Sequence, residues 1–134
     1  IVRLFPGEKP EVFDKAPSGR LCVDGSIPSD EDSIQIKERK NIASNGFVEV
    51  TLIVSSNGKV KNDTNISLYG LPVLDKEEFK FEMEKELKKI TKTFSLNNLK
   101  QEENIIEALK KTCRKYSKEK TGKKPLTNIN IVRI

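Results

Sequence analysis

The stretch Ile105 to Ile134, IIEALKKTCRKYSKEKTGKKPLTNINIVRI, decides how the whole chain is read. Ile105, Ile106, Leu109, Cys113 and Tyr116 recur at helical spacing and form one apolar stripe. Lys110, Lys111, Arg114, Lys115 and Lys118 occupy the remaining surface of that helix. Gly122 suits the left-handed position just beyond a helix end, and Pro125 prevents the helix from resuming. Ile129 and Ile131 then alternate with polar neighbours, the pattern of a half-buried strand. One amphipathic helix, one turn and one strand therefore supply both core and positive surface.

Working outward, the clearest strand is Phe47 to Ser55, FVEVTLIVS. Val48, Val50, Leu52 and Val54 share one face; Phe47, Glu49, Thr51 and Ile53 share the other. Asn57-Gly58 marks a hairpin. The return strand opens at Val60, is interrupted by Asn62-Asp63-Thr64-Asn65, and resumes with Ile66, Leu68 and Leu71. Asp75, with Glu78 three residues on, starts a second helix whose stripe is Phe79, Met83, Leu87, Ile90 and Phe94. Residues 95 to 101 link it to the last helix.

Upstream the signals are weaker. Residues 1 to 17 contain Pro6-Gly7, Pro10 and Pro17 and read as an edge strand followed by an extended linker. Ser18 to Asp24 reads as a short strand closed by Gly25, and Ser26 to Asp32 as a polar loop in which Ser29 or Asp30 caps the next helix. In Ile34 to Ala43 helical and alternating patterns compete; the charged run and the Asn45-Gly46 stop favour a helix. The resulting order is β-α-β-β-α-α-β. This is an α+β plan with helices packed on one face of a small, mainly antiparallel sheet.

At 134 residues the chain accommodates one substantial core. Hydrophobic content of 35% against 34% charged residues keeps that core modest and leaves much helix surface to water. No apolar run is long enough to cross a bilayer, and no secretory signal pattern is present. The opening IVRLFPG, with no methionine, reads as an entry in mid-strand and the chain as a piece of something longer. There is no histidine, so neither a His-rich zinc site nor a Ser-His or Cys-His nucleophile pair can be built. Cys22 and Cys113 read as two reduced thiols, with a disulfide as the alternative. Charge is uneven: residues 1 to 84 carry 11 Lys+Arg against 15 Asp+Glu, net −4, and residues 85 to 134 carry 14 against 5, net +9. Such asymmetry points either to an anionic partner for the second half or to a solvated pair of helices.

Three blocks carry a family resemblance. They are Gly19-Arg20-Leu21-Cys22-Val23-Asp24-Gly25, then Lys37-Glu38-Arg39-Lys40 closing on Asn45-Gly46, and Tyr116 through Glu119-Lys120-Thr121-Gly122-Lys123-Lys124-Pro125. In this order the chain resembles the C-terminal domain of ribonuclease J, the RNA-degrading enzyme of the metallo-β-lactamase superfamily. The chain differs from many members at Ile66-Ser67-Leu68-Tyr69-Gly70-Leu71-Pro72 and in its last strand. The resemblance implies that residues 1–17 are the end strand of a catalytic domain and its linker, and 18–134 a non-catalytic accessory domain. It implies a cytoplasmic bacterial parent that is a zinc-dependent 5′-exoribonuclease with endonuclease activity. The zinc ligands would lie outside this chain, which would hold no cofactor, metal or catalytic residue of its own. It also implies RNA as partner through the parent, a homo-oligomer and no membrane.

Two surfaces follow as candidates. Phe47 and Ile53 are the expected subunit interface, the alternative being that the Ile34–Ala43 helix covers them. Lys110, Lys111, Arg114, Lys115, Lys118, Lys123 and Lys124 are the expected RNA-phosphate contacts; Lys110 to Lys124 carries a net +7. Tyr116 falls on the buried stripe, so no base readout is expected. Independent catalysis would have to use carboxylates such as Glu77, Glu78, Glu102 and Glu103, which sit at helix starts and complement the helix dipole there.

Overall fold

The computed structural model describes residues 1–61, 64–93 and 99–134. The Asn62-Asp63 interruption, Phe94 and residues 95–98 of the inter-helix link lie outside the described residues. The chain forms two compact units, Ile1–Lys37 and Glu38–Ile134.

The second unit is built on β5 (Phe47–Val54), an eight-residue strand rich in β-branched side chains. Its Val48, Val50, Leu52 and Val54 are all fully buried. β6 (Asn65–Tyr69) pairs with it antiparallel, Val50 opposite Ile66, after a loop in which Gly58 takes φ +76° and donates its N–H to Ser55 O. The Asn57-Gly58 turn is thus where the sequence places it. β7 (Leu126–Arg133) lies on the other side of β5, and that pairing is parallel, Phe47 opposite Leu126 through Val54 opposite Arg133.

A parallel neighbour demands a crossover, and the helices supply it. α2 (Lys76–Thr91) starts on Asp75, whose carboxylate accepts from the Glu77 and Glu78 N–H groups at 3.0 Å each. It buries Phe79, Met83 and Leu87. α3 (Leu99–Thr121) buries Ile105, Leu109 and Cys113, with Ile106 and Tyr116 half-buried beside them. Both pack on the Val48–Val54 face of the sheet, which is the α+β arrangement that periodicity implies.

The helix α1 (Ile34–Asn45) runs two residues beyond Ala43. It ends where Gly46, at φ +81°, donates its N–H to Ile42 O at 2.7 Å. The Gly46 carbonyl in turn accepts from Leu126 N–H at 3.0 Å, and a β-carbon at Gly46 would meet Tyr69 O at 2.8 Å. The end of α1, the start of β5, the end of β6 and the start of β7 therefore meet at a residue that only glycine fits.

The first unit departs from several expectations. Residues 26–32 are not a loop throughout: β4 (Ile27–Asp30) pairs antiparallel with β3 (Leu21–Asp24) across the two-residue turn Gly25-Ser26. Gly25 adopts φ +62°, as the first position of such a turn requires. Neither Ser29 nor Asp30 caps α1 through its side chain. Ser29 Oγ accepts from Gln35 Nε2 at 3.1 Å, and the first helical N–H bond runs from Lys37 to Ser33 O. The proline-rich opening also pairs: β1 (Val2–Arg3) lies antiparallel to β2 (Glu11–Val12), so the expected linker returns on itself.

The contacts at Gly46 set a stability test. Gly46→Ala is expected to cost about 2–3 kcal/mol, combining backbone strain with displacement of the β6 carbonyl. Gly122→Ala has the same sign of φ but open space around the new methyl, and should cost about 1 kcal/mol. Urea titration followed by circular dichroism measures both.

Candidate functional site

Two surfaces of the second unit carry the expected site residues. The first is the solvent side of α3. At about 100° per residue, Lys110, Arg114, Lys118, Lys111 and Lys115 fall within an arc of about 140°. That arc lies opposite Ile105, Leu109 and Cys113, the side chains that α3 sends into the core. All except the half-buried Lys110 are exposed. Lys110 also has a partner, Glu107 at 3.7 Å. Lys123 and Lys124 are exposed as well, but they follow the helix, on the turn before β7, and extend the arc rather than belong to it.

The contrast with α2 is instructive. Its lysines and glutamates pair along the helix: Lys80 with Glu77, Lys85 with Glu82, Lys88 with Glu84 and Lys89 with Glu86, at 2.6 to 3.0 Å. The Lys85 ammonium holds the Glu82 carboxyl below its usual range. Exposed pairs of this kind contribute little stability, but they cancel the helix's field. On α3 the cations outnumber any partner within reach, so the field survives there.

Tyr116 does not offer a stacking platform. Its ring packs on Phe79 with centroids 5.0 Å apart, Lys120 Nζ sits 5.8 Å from it, and it floors a groove of about 520 Å³ between α2 and α3. Burial first, then Glu82, Glu78 and Glu86, push its hydroxyl pKa up.

The second surface is the sheet face turned away from α2 and α3. Phe47 and Ile53 both lie on it, half-buried, at opposite ends of β5 and roughly 20 Å apart. Register brings other residues beside them that the linear pattern does not single out. Tyr69 and Leu126 flank Phe47, with the Phe47 and Tyr69 rings 6.1 Å apart, and Val132 lies next to Ile53. Between the apolar ends runs a polar band in which Asn130 Nδ2 donates to Glu49 Oε1 at 2.8 Å and Asn128 Nδ2 to Asn130 Oδ1 at 3.1 Å. Within this unit, α1 residues 38–44 are all exposed, so they bury no side chain on this face. Tyr69, Leu126 and Val132 escape a linear reading because only the pairing of β6 and β7 with β5 brings them together.

Glu77 pairs with Lys80, and Glu102 pairs with Arg133 of β7, so both carboxylates are occupied structurally. No group of three or more His, Cys, Asp or Glu is placed to hold a metal among the described residues. Cys22 and Cys113 are both free thiols. Cys113 is fully buried, and burial, above all else, raises its pKa from 9.0 to about 12, which leaves it without nucleophilic character at neutral pH. Among the described residues no helix is long and apolar enough to cross a membrane.

Sequence comparison places the chain in a family. A profile described as "Ribonuclease J C-terminal domain" matches residues 34–134. The chain is also 28% identical over 136 residues to the ribonuclease J of Sinorhizobium meliloti, a match that covers all of this chain and 24% of that protein. The chain thus spans about a quarter of that relative's length.

The buried thiol yields a pH test. The folded chain keeps the Cys113 proton between about pH 9 and 12, where the unfolded thiol has lost it. Stability is therefore expected to fall as pH rises through that window, by up to about 1.4 kcal/mol per unit. Cys113→Ala should flatten this component of the alkaline limb in urea titrations run at pH 8 to 11.

Proposed function

The chain belongs to the ribonuclease J C-terminal domain family, and from that premise we propose that it is the non-catalytic accessory domain of an RNA-degrading enzyme, serving first to assemble its subunits. In this reading the parent is a cytoplasmic, zinc-dependent 5′-exo- and endoribonuclease of the metallo-β-lactamase superfamily. Its metal ligands and catalytic groups are supplied by the part of the polypeptide that this chain does not include.

The single observation that carries the assembly role is the outer sheet face. A two-layer α+β unit needs helices on one side only. The far side here keeps Phe47, Tyr69, Leu126, Ile53 and Val132 at the surface, around a polar band already bonded within itself. Apolar clusters at either end of a polar band whose groups are already hydrogen-bonded can be covered by a partner without leaving those polar groups unpaired. The occupant is a second copy of the domain. Sedimentation of the chain at high micromolar concentration should give a dimer or larger species. Phe47→Lys should return it to monomer without loss of circular dichroism signal. A wild-type monomer under those conditions would overturn the assembly role.

A second reading rests on the cationic arc of α3: contact with RNA phosphates, subordinate to the parent's own substrate channel. Ion pairing neutralises α2 and leaves α3 charged, which a merely solvated helix pair would not require. If about four of these cations meet phosphates, the log–log salt slope of binding should lie near −3, with no preference among sequences. Lys111→Glu with Lys115→Glu should weaken binding and flatten that slope. Affinity that ignores salt, or no binding at low ionic strength, would remove this reading.

A further inference from the structure

The first unit, Ile1–Lys37, contains almost no core. Its β3–β4 hairpin is folded with its apolar side outward. Cross-strand register puts Leu21, Val23, Pro28 and Asp30 on one face and Cys22, Asp24, Ile27 and Ser29 on the other. The second, more polar face is the more covered one: Ser29 is buried and takes a hydrogen bond from Gln35 of α1, and Cys22 and Asp24 are half-buried, while Ile27, next to the turn, stays exposed. The apolar face is bare, with Leu21 68% and Val23 73% exposed. A two-stranded hairpin is marginal in water even when its apolar face is sheltered. One that shelters its polar face instead has lost the contribution that would hold it together. In the β1–β2 pair Val2 and Val12, opposite one another, are also bare, at 56% and 75% exposed.

From this inversion we infer that the Leu21–Val23–Pro28 face is a docking face, and that its occupant is an apolar strip on the catalytic body of the same polypeptide. Three observations favour that occupant over a second copy of this chain. The family match begins at residue 34 and the second compact unit at Glu38, so the hairpin falls outside the self-contained domain on both criteria. The chain accounts for only 24% of its ribonuclease J relative, which leaves about three quarters of such a polypeptide to supply the strip. The face that does suit self-association is the polar-banded sheet surface of the second unit, which has its own complementary chemistry. The hairpin then acts as an intramolecular anchor that fixes the accessory domain to the catalytic body, ahead of α1. This rests on the reading of the chain as part of a longer enzyme.

Hydrogen–deuterium exchange on the 134-residue chain and on the full polypeptide its gene encodes tests the anchor. Amides of residues 21–30 should exchange at least tenfold more slowly in the full polypeptide, at every protein concentration. Leu21→Asp with Val23→Asp should abolish that protection in the full polypeptide, while the sedimentation of the 134-residue chain stays unchanged. Equal exchange in the two proteins would overturn the anchor and leave the assembly role standing. Protection that appears in the 134-residue chain only as its concentration rises would assign the face to a second copy and likewise overturn it. A gene encoding nothing ahead of Ile1 would remove both the anchor and the proposed parent enzyme.

Discussion

The parallel ladder between β5 and β7 is the constraint on which the second unit depends. Eight consecutive residue pairs, from Phe47–Leu126 to Val54–Arg133, tie the centre of the sheet to the final strand. Two parallel strands cannot be joined by a tight turn, so the chain between them must leave the sheet, cross its face and return. The pair α2 and α3 makes that crossing and covers the Val48–Val54 face as it does so. Gly46 closes the arrangement: its carbonyl receives the first residue of β7, and its missing side chain lets the β6 backbone approach. Core, crossover and sheet order are therefore one solution rather than three.

The same constraint divides the surface by chemistry. Because the crossing helices lie on one face only, the opposite face of β5, β6 and β7 is left to its own cross-strand neighbours. Its polar centre is satisfied internally by Glu49, Asn130 and Asn128, and its apolar ends are not. On the helical side, α2 balances its own charge and α3 does not. One side thus presents apolar area and the other a cationic field.

Much of this was legible in the residues. The stripe Phe79, Met83, Leu87 and the stripe Ile105, Leu109, Cys113 are buried, because helical periodicity is a local property that packing had no reason to override. Alternation in β5 and the Gly58 turn came through for the same reason. The hairpin at Gly25-Ser26 was also written locally, as a two-residue glycine turn between Asp24 and Ile27. It was hidden by Pro28, which reads as a strand breaker yet is tolerated in this two-stranded edge position. The short pairing of Val2–Arg3 with Glu11–Val12 left no periodic trace, since two residues are too few to make one.

What the sequence alone determined are the features set by neighbours within about one or two turns of chain. These are the two long helices, the alternating strand, the glycine stops and the run of cations that must share one side of a helix. Only the tertiary structure decided that the last strand runs parallel to β5, that Tyr69 and Leu126 flank Phe47, and that the β3–β4 hairpin turns Leu21 and Val23 outward. Those outcomes depend on which strand meets which, and on what covers each face. Such pairings as Val50 with Ile129 join distant parts of the chain, so no local pattern encodes them.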